Sequence, residues 1–215
     1  MDNFAISWSE LYGARKQIQQ RFKKIWNLPI AKRYSTVLHQ YGHDHATVLE
    51  IGAGDRGLYR RLKDWWPSTE YKSYDIDPNT EHDFHDLNEI TGSYDIICMF
   101  EVIEHVSPET ATAILKKCYQ VMSPGGLLFI TTPNTFYPPN YLRDATHITP
   151  WCYDELGSIA LMAGFSVTSL YRLYTDSLIG KITHKLIFYP VHRALGIDFS
   201  KQIILVAHKP EVTNL

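Results

Sequence analysis

Three glycines follow an apolar run in the first third of the chain and predict a ligand-binding turn. Gly52, Gly54 and Gly57 have the spacing G-x-G-x-x-G, and Glu50 precedes them. Glycine lets the backbone approach a ligand closely, and this spacing is typical of a turn between a strand and a helix that holds a nucleotide cofactor. The spacing alone does not distinguish a nicotinamide or flavin dinucleotide from S-adenosylmethionine.

A second carboxylate stands where a ribose would be recognised. Asp75 ends the next apolar run, 21 residues after Gly54. A carboxylate at the end of a strand can accept hydrogen bonds from both hydroxyls of an adenosine ribose. Asp75 therefore supports an adenosine ligand, and it fits either class of cofactor.

The remaining carboxylates favour a cationic ligand. Glu50 lies at the lip of the glycine turn, where it would oppose a pyrophosphate but complement a sulfonium and an ammonium group. Glu101 and Glu104 directly follow the strongly apolar run Tyr94–Phe100, which places acidic groups at the same edge of the predicted sheet. The three glutamates together favour S-adenosylmethionine.

These residues require an alternation of strands and helices to bring them together. Apolar runs predict strands and amphipathic stretches predict helices, and turns are indicated at 123–126 and in the long loop 133–148. The predicted strands are 48–51, 71–75, a very short 83–85, 94–100, 127–132, 165–171 and 202–209. The predicted helices are two over 7–41 divided at Pro29, then 55–66, 108–122 and 149–164. This alternation favours a parallel α/β sheet with helices on both faces.

Four stretches in this order give the chain a family resemblance. They are VLEIGAGDRG, YDIDP, YDIICMFEVIEHV and VMSPGGLLFITTPN. The chain resembles the class I S-adenosylmethionine-dependent methyltransferases, in particular the branch with an EHV motif that includes ubiquinone-biosynthesis and sugar or natural-product O-methyltransferases. The resemblance implies a Rossmann-like sheet of seven mostly parallel strands whose last strand is antiparallel.

The resemblance also assigns roles along the cofactor. It implies that Glu50, Gly52 and Gly54 surround the methionine part and that Asp75 binds the ribose. The residues that it adds around the adenine and in the rest of the cleft are Ile76, Asp86, Leu87, Phe100 and Glu101. The family usually has a third glycine where this chain has Arg56, which is a departure from its pattern.

His147 is the candidate catalytic base. Methyl transfer to a hydroxyl needs removal of the hydroxyl proton, and histidine most often does this. His147 lies in the long loop after the strand 127–132, on the side from which an acceptor would enter, and related methyltransferases often carry a similar histidine. The alternative is that His147 only anchors this loop.

The composition excludes several classes of protein. Hydrophobic residues make up 45% and charged residues 20% of the 215 residues, and the net charge is −2, which argues against a general binder of polyanions. The three cysteines, Cys98, Cys118 and Cys152, are far apart and suggest neither disulfides nor a thiolate zinc site. With no secretory signal or membrane-spanning run evident, a cytoplasmic location is expected. The histidine-rich segments 42–45 and 81–86 are interpreted as solvated loops, so no metal site is expected.

We expect one domain with four parts. They are a helical extension (1–45), a cofactor-binding core (46–174), an insertion or lid (175–200) and the last strand (201–210). Within the insertion, apolar residues at helical spacing predict an amphipathic helix over 178–189, which leaves a substrate lid, a dimer contact and contact with a membrane surface as open roles.

The expected acceptor is a small molecule or sugar methylated on oxygen. The alternatives are a methyltransferase of RNA or protein that uses the basic N-terminal helices, a dinucleotide oxidoreductase, and a catalytically idle module that keeps the cofactor fold. The basic run 15–24 is interpreted as the solvent-exposed face of an amphipathic helix, so no nucleic-acid partner is assigned.

Overall fold

The computed structural model describes residues 7–175 and 188–211. In this part of the chain, the helices are α1 Trp8–Phe22, α2 Tyr34–Tyr41, α3 Gly57–Trp65, α4 Pro108–Val121, α5 Pro138–Leu142, α6 Tyr153–Met162 and α7 Tyr189–Leu195. The strands are β1 Ile30–Ala31, β2 Thr47–Ile51, β3 Glu70–Tyr74, β4 Tyr94–Phe100, β5 Met122–Pro133, β6 Ser166–Leu173 and β7 Gln202–His208. Three short 3-10 turns lie at Ile25–Asn27, Leu87–Glu89 and Ile103–His105.

The strands form one sheet in the order β1-β6-β7-β5-β4-β2-β3. All of the pairings are parallel except those of β7, which runs antiparallel to both β5 and β6. The predicted α/β fold, a Rossmann-like sheet of seven mostly parallel strands with an antiparallel last strand, is confirmed.

The seventh strand is not the one that the sequence indicated. The predicted strand at 83–85 is reduced to a single bridge between Tyr74 and Phe84. The sheet gains its seventh strand from Ile30–Ala31, which pairs with Arg172 and Leu173 at the opposite edge. Two residues give too short an apolar pattern to be read as a strand, so the sequence showed only the helix break at Pro29.

Other boundaries also differ from the prediction, and two of them have a clear local cause. Strand β5 begins at Met122, which pairs with Tyr94 of β4. The segment predicted as a turn also pairs with the residue that follows β7: Gly125 donates to the carbonyl of Lys209, and Lys209 donates to the carbonyl of Gly126. Helix α6 begins at Tyr153, because Cys152 is still extended (φ −70°, ψ 157°) and caps the helix.

Helices cover both faces of the sheet, as predicted. On one face, apolar residues of α1, α4 and α6 pack on the sheet in a cluster that includes Ile18, Leu115 and Leu156. On the other face, α2 and α3 contribute Leu38 and Leu62 to a second cluster. Since each face is sealed, the ligand-accessible part of the sheet is its edge.

The candidate site lies where the strand order reverses. The chain moves outward from β2 to β3 and then returns to place β4 on the other side of β2. In open α/β sheets, ligands bind outside the carboxyl ends of the strands at such a switch point. The ends of β2, β3 and β4 carry Glu50, Asp75 and Glu101 to this edge.

The division of the chain into four parts stays a prediction. The structure adds that the N-terminal extension is built into the fold, through β1 and through α1, whose Ile18 packs tightly over Gly157 of α6. Most of the amphipathic helix predicted over 178–189 lies outside the described residues. Among the described residues, none of the helices is long and apolar enough to cross a membrane.

Candidate functional site

Two adjoining cavities lie at the switch point and share Gly52. The smaller, about 440 Å³, and the larger, about 720 Å³, are of the size that small ligands occupy. The predicted residues on the smaller cavity are Glu50, Gly52, Gly54 and Phe100. Those on the larger cavity are Gly52, Asp75, Ile76, Asp86, Leu87 and Glu101. All nine residues predicted to contact the cofactor therefore line one continuous region; their contacts with it stay a prediction.

Glu50 is a buried carboxylate beside the glycine turn. Its residue is 6% exposed, and the hydroxyl of Tyr71 donates a 2.5 Å hydrogen bond to its Oε2. Burial raises the pKa of Glu50 to about 7, an effect that the hydrogen bond from Tyr71 partly opposes. A carboxyl with this pKa changes charge near neutral pH, so a cationic ligand in the smaller cavity would favour its ionised form.

The glycine turn needs left-handed backbone at three positions. Gly52 has φ +71° and Gly54 has φ +47°. Arg56, at the position where the family pattern has glycine, also adopts this conformation (φ 56°, ψ 33°) and immediately precedes α3. A residue other than glycine therefore has left-handed backbone at this position, and Asp55 supports the turn by accepting a 2.9 Å hydrogen bond from the amide of Gly57.

Replacing the two glycines by alanine is expected to have different effects on stability and on cofactor binding. A Cβ at Gly52 would stand 2.2 Å from Cγ2 of Val102, whereas a Cβ at Gly54 meets no atom within 4 Å and enters the space of the cavity. We expect Gly52→Ala to destabilise the fold by about 3 kcal/mol through overpacking and strain. We expect Gly54→Ala to cost about 1 kcal/mol of stability and to weaken cofactor binding about tenfold.

Urea denaturation and calorimetric titration with S-adenosylhomocysteine check both expectations. Gly13→Ala is the matched control, because Gly13 lies in α1 with open space around it. Equal stability of Gly52→Ala and wild type, or full cofactor affinity in Gly54→Ala, would contradict this interpretation of the turn.

Asp75 is held rigidly at the end of β3. Its Oδ2 accepts a 2.9 Å hydrogen bond from the amide of Gly54, and its Oδ1 accepts a 3.0 Å bond from the amide of Asp77. A carboxylate has about four lone-pair positions, so these two bonds leave each oxygen able to accept another donor. The side chain is thus oriented by the glycine turn and can still receive two hydroxyls.

The larger cavity combines an apolar wall with polar groups. Ile76 is 79% exposed, which is unusual for isoleucine and gives the cavity an open apolar surface. Asp86 accepts hydrogen bonds from the amide and side chain of Asn88 through Oδ1, which fixes the 3-10 turn that begins at Leu87. The wall suits a flat, partly polar ring such as adenine.

Phe100 ends β4 and Glu101 follows it, and the two residues line different cavities. The ring of Phe100 lies 4.4 Å from that of Tyr34, which closes one side of the smaller cavity. Glu101 has a left-handed backbone (φ 56°), and its amide donates to the carbonyl and hydroxyl of Thr131. Its Oε1 is buried and has no described hydrogen-bond partner.

His147 is packed into the loop between β5 and α6 and does not line the two cavities. Its Nδ1 lies 2.7 Å from the carbonyl of Tyr141, and because a carbonyl only accepts, this nitrogen carries the proton. Its Nε2 is then free to accept a proton, and it lies 3.9 Å from Oδ2 of Asp144. The side chain is 8% exposed.

Glu104, His105 and His147 form a cluster that could hold a divalent cation. One ligand atom from each lies within 4.8 Å of the others, and Oε1 of Glu104 is buried with no described partner. Nδ1 of His105 lies 2.9 Å from Oγ1 of Thr146, whose hydroxyl donates to Asp144, so this Nδ1 also carries the proton. Burial, and then the nearby Glu101, raise the pKa of Glu104 to about 8. Two imidazoles and a carboxylate suit a transition-metal ion.

This cluster and one wall of the smaller cavity were not predicted from the sequence. The pair Glu104-His105 was a visible signal, but His147 follows more than 40 residues later and only the fold brings it near. Tyr34, which belongs to the predicted helical extension 1–45, also lines the smaller cavity. Tyr34 follows the short strand β1, which the sequence did not reveal.

Comparisons with known proteins agree with this geometry. The sequence profile of a family described as "Methyltransferase domain" matches residues 20–170. A 48-residue segment is 46% identical to the mitochondrial ubiquinone biosynthesis O-methyltransferase of Rattus norvegicus; it covers 22% of this chain but only 13% of that relative.

Solved structures share the fold at low sequence identity. An S-adenosylmethionine-dependent methyltransferase from Archaeoglobus fulgidus superposes with a TM-score of 0.62 at 16% identity, over 94% of this chain and 100% of that one. A chain from the complex of the Haloferax volcanii Trm112 methyltransferase activator with a methyltransferase gives 0.60 at 13% identity, over 96% and 100%. The family profile spans well over half of the sequence and the seven-stranded sheet is that of these structures; the chain belongs to the S-adenosylmethionine-dependent methyltransferases of the class I, Rossmann-like family.

Proposed function

We propose that the chain transfers the methyl group of S-adenosylmethionine to an oxygen atom of a small molecule or sugar. The observation that carries this proposal is the convergence of nine predicted positions on two adjoining cavities at the switch point of the sheet. Adenosine would lie in the larger cavity, with its ribose on Asp75 and its adenine against Ile76. The methionine part would lie in the smaller cavity, with its charge near Glu50.

The choice of oxygen rests on the curated relative. The segment that is 46% identical belongs to an O-methyltransferase of ubiquinone biosynthesis, a small-molecule pathway. In this proposal, the acceptor hydroxyl gives its proton to Nε2 of His147 as its oxygen attacks the sulfonium methyl in line, the carbon–sulfur bond breaks with its electron pair going to sulfur, and S-adenosylhomocysteine leaves. The cofactor brings an activated electrophile, so the protein mainly positions the two reactants and excludes water.

The contacts that the basic N-terminal helix makes within the fold favour a small acceptor over RNA. Two of its cations are already engaged inside the molecule: Arg15 pairs with Asp154 and Glu155, and Arg21 donates to the carbonyls of Val167 and Thr168. A phosphate backbone would have to compete with these contacts. This observation lowers the case for an RNA methyltransferase, the main rival to the proposal.

Transfer of a radioactive methyl group tests the acceptor class. The protein would be incubated with methyl-labelled S-adenosylmethionine and, separately, with 3,4-dihydroxybenzoate, glucose 1-phosphate, bulk transfer RNA and a lysine-rich peptide. Label in a hydroxylated small molecule, stable to mild base as an ether, supports the proposal. Label confined to RNA or peptide contradicts it, and tight cofactor binding without transfer to any of the four would indicate an idle module.

His147→Ala is expected to lower turnover at least 100-fold while the affinity for S-adenosylhomocysteine stays within about threefold of wild type. General-base catalysis contributes about 10²–10⁴-fold, and His147 lies outside the cofactor cavities. The measurements are kcat, with the acceptor identified above, and calorimetric titration. His43→Ala is the control, since His43 is exposed in a loop that precedes β2.

Three outcomes separate the roles of His147. A base role removes an ionisation from the pH profile of kcat and is unaffected by a chelator. If His147 holds a cation together with Glu104 and His105, EDTA lowers the kcat of the wild type and added Mn²⁺ restores it. If His147 only anchors the loop, the His147→Ala variant loses cofactor affinity and thermal stability together with turnover. This result would contradict the catalytic assignment.

A further inference from the structure

A third cavity, of about 590 Å³, adjoins the cofactor region. It lies at the edge of the sheet where β1 and β6 end and β7 begins, and Leu173 and Gln202 form its floor. Tyr34 and Arg61 line both this cavity and the smaller cofactor cavity. A molecule in the third cavity would therefore lie next to the methionine end of the cofactor, where a methyl acceptor must be.

The charged side chains described around this cavity are all positive. Its lining includes Lys32, Arg33, Arg61 and Lys201, and it includes no aspartate or glutamate among the described residues. None of these four cations forms an ion pair with a carboxylate in the described part of the chain. Arg61 donates to the hydroxyl of Tyr34 and so faces the junction of the two cavities. Like charges around one space repel each other, and an anion in that space relieves the repulsion.

The start of α2 adds backbone donors to the same wall. The helix begins at Tyr34, its N-cap Arg33 offers no side-chain acceptor, and Tyr34 and Ser35 both line the cavity. The first amide groups of a helix have no partner within the helix, and the helix dipole favours negative charge at this end. Cations and a helix N-terminus together form the usual protein site for phosphate.

We propose that the third cavity binds the phosphate group of a phosphorylated methyl acceptor. The inference rests on the proposed function and deepens it by naming the chemical class of the acceptor. Phosphate is favoured over a neutral hydroxylated molecule because its negative charge interacts with the four cations and the helix N-terminus. A neutral hydroxyl group would leave this positive charge uncompensated. In this proposal, Glu50 offers a carboxylate to the cationic end of the cofactor, and Arg61 lies at the junction of the two cavities, where it can contact the anionic end of the acceptor.

A small molecule fits this cavity better than a nucleic acid does. The basic residues surround a bounded space of a size typical for small ligands. The basic residues of α1 do not extend this surface, because Arg15 and Arg21 make contacts within the fold. The acceptor is therefore anchored by its phosphate and presents its hydroxyl toward the sulfonium.

Calorimetric titration with inorganic phosphate at constant ionic strength tests the proposal. The protein is first saturated with S-adenosylhomocysteine, and the variant is Lys32→Gln/Lys201→Gln, whose two lysines are exposed. The charge-matched control is Lys16→Gln/Lys24→Gln, which removes two cations outside the cavity. We expect one phosphate site in the wild type, at least tenfold weaker binding in the variant, and a change of less than twofold in the control.

The first titration separates this inference from the proposed function. If the wild type does not bind S-adenosylhomocysteine, the proposed function fails. If it binds S-adenosylhomocysteine but no phosphate, or if variant and control lose phosphate equally, the phosphate site is refuted. A 20-nucleotide single-stranded RNA that displaces phosphate and binds more than 100-fold more tightly would also refute it, in favour of a nucleic-acid groove.

Competition identifies the source of the phosphate. Displacement by glycerol 3-phosphate, but not by phosphatidylglycerol vesicles, assigns the group to a soluble molecule. Displacement by the vesicles assigns it to a lipid headgroup. In both cases phosphate is the recognised group, so the double variant must bind the competitor more weakly, by the same factor as it binds phosphate more weakly.

Discussion

Asp75→Ala is expected to raise the Kd for S-adenosylmethionine at least 100-fold. The carboxylate is oriented by the amides of Gly54 and Asp77 and keeps two acceptor positions for ribose hydroxyls. A hydrogen bond to a charged group contributes about 1.5–3 kcal/mol, and two such bonds correspond to about 100-fold or more in affinity. Calorimetric titration measures the loss, and Asp64→Ala, an exposed aspartate in α3, is the control.

A comparison of two nucleosides shows whether Asp75 acts on the ribose itself. Adenosine and 2′,3′-dideoxyadenosine differ only in the hydroxyls that Asp75 would accept. The wild type should prefer adenosine strongly, and Asp75→Ala should bind both with similar affinity. If the variant still prefers adenosine as strongly as the wild type does, Asp75 only supports the glycine turn and the ribose assignment fails.

Glu50→Gln is expected to remove the pH dependence of cofactor binding near neutrality. Burial raises the pKa of Glu50 to about 7, so the carboxyl is protonated below this pH and must lose its proton to complement a cationic ligand. The affinity of the wild type for S-adenosylmethionine should therefore rise between pH 6 and pH 8. The side-chain amide of the Glu50→Gln variant cannot ionise, so we expect a flat profile and about 10- to 100-fold weaker binding at pH 8.

The same carboxyl affects the stability of the ligand-free protein in the opposite direction. Its pKa is raised on folding, so its contribution to stability is fully present below pH 4.5 and is lost as the pH rises through about 7. Urea denaturation should show that Glu50→Gln is less sensitive to pH than the wild type over this range. Glu70→Gln, an exposed glutamate of β3, is the control, and parallel profiles for all three proteins would contradict the role of Glu50.

The grouping of the candidate site residues at one edge of the sheet could be predicted because its signals are local. The glycine spacing, the carboxylate after each strand and the apolar runs are short patterns, and each describes one strand end and the turn that follows it. A parallel sheet then gathers the ends of its strands at one edge, so local patterns become one site. This is why Glu50, Asp75 and Glu101 were found at the same edge although 51 residues separate the first from the last.

The rest depends on contacts between distant segments, which one sequence does not reveal. Strand β1 is only two residues long and exists because it pairs with β6, more than 140 residues away. That pairing brings Lys32 and Arg33 beside Lys201 and so forms the basic cavity, whose cations share no pattern in the sequence. Likewise His147 reaches His105, at a ring distance of 4.8 Å, only through the folding of the long loop.

A crystal structure with S-adenosylhomocysteine tests the central claim, that the two adjoining cavities bind the cofactor and direct its sulfur toward the basic cavity. We expect both ribose hydroxyls within hydrogen-bond distance of the Asp75 carboxylate, adenine against Ile76, and the sulfur in the cavity bounded by Glu50 and Phe100. An adenosine bound elsewhere, or a sulfur that faces away from Tyr34 and Arg61, would contradict it.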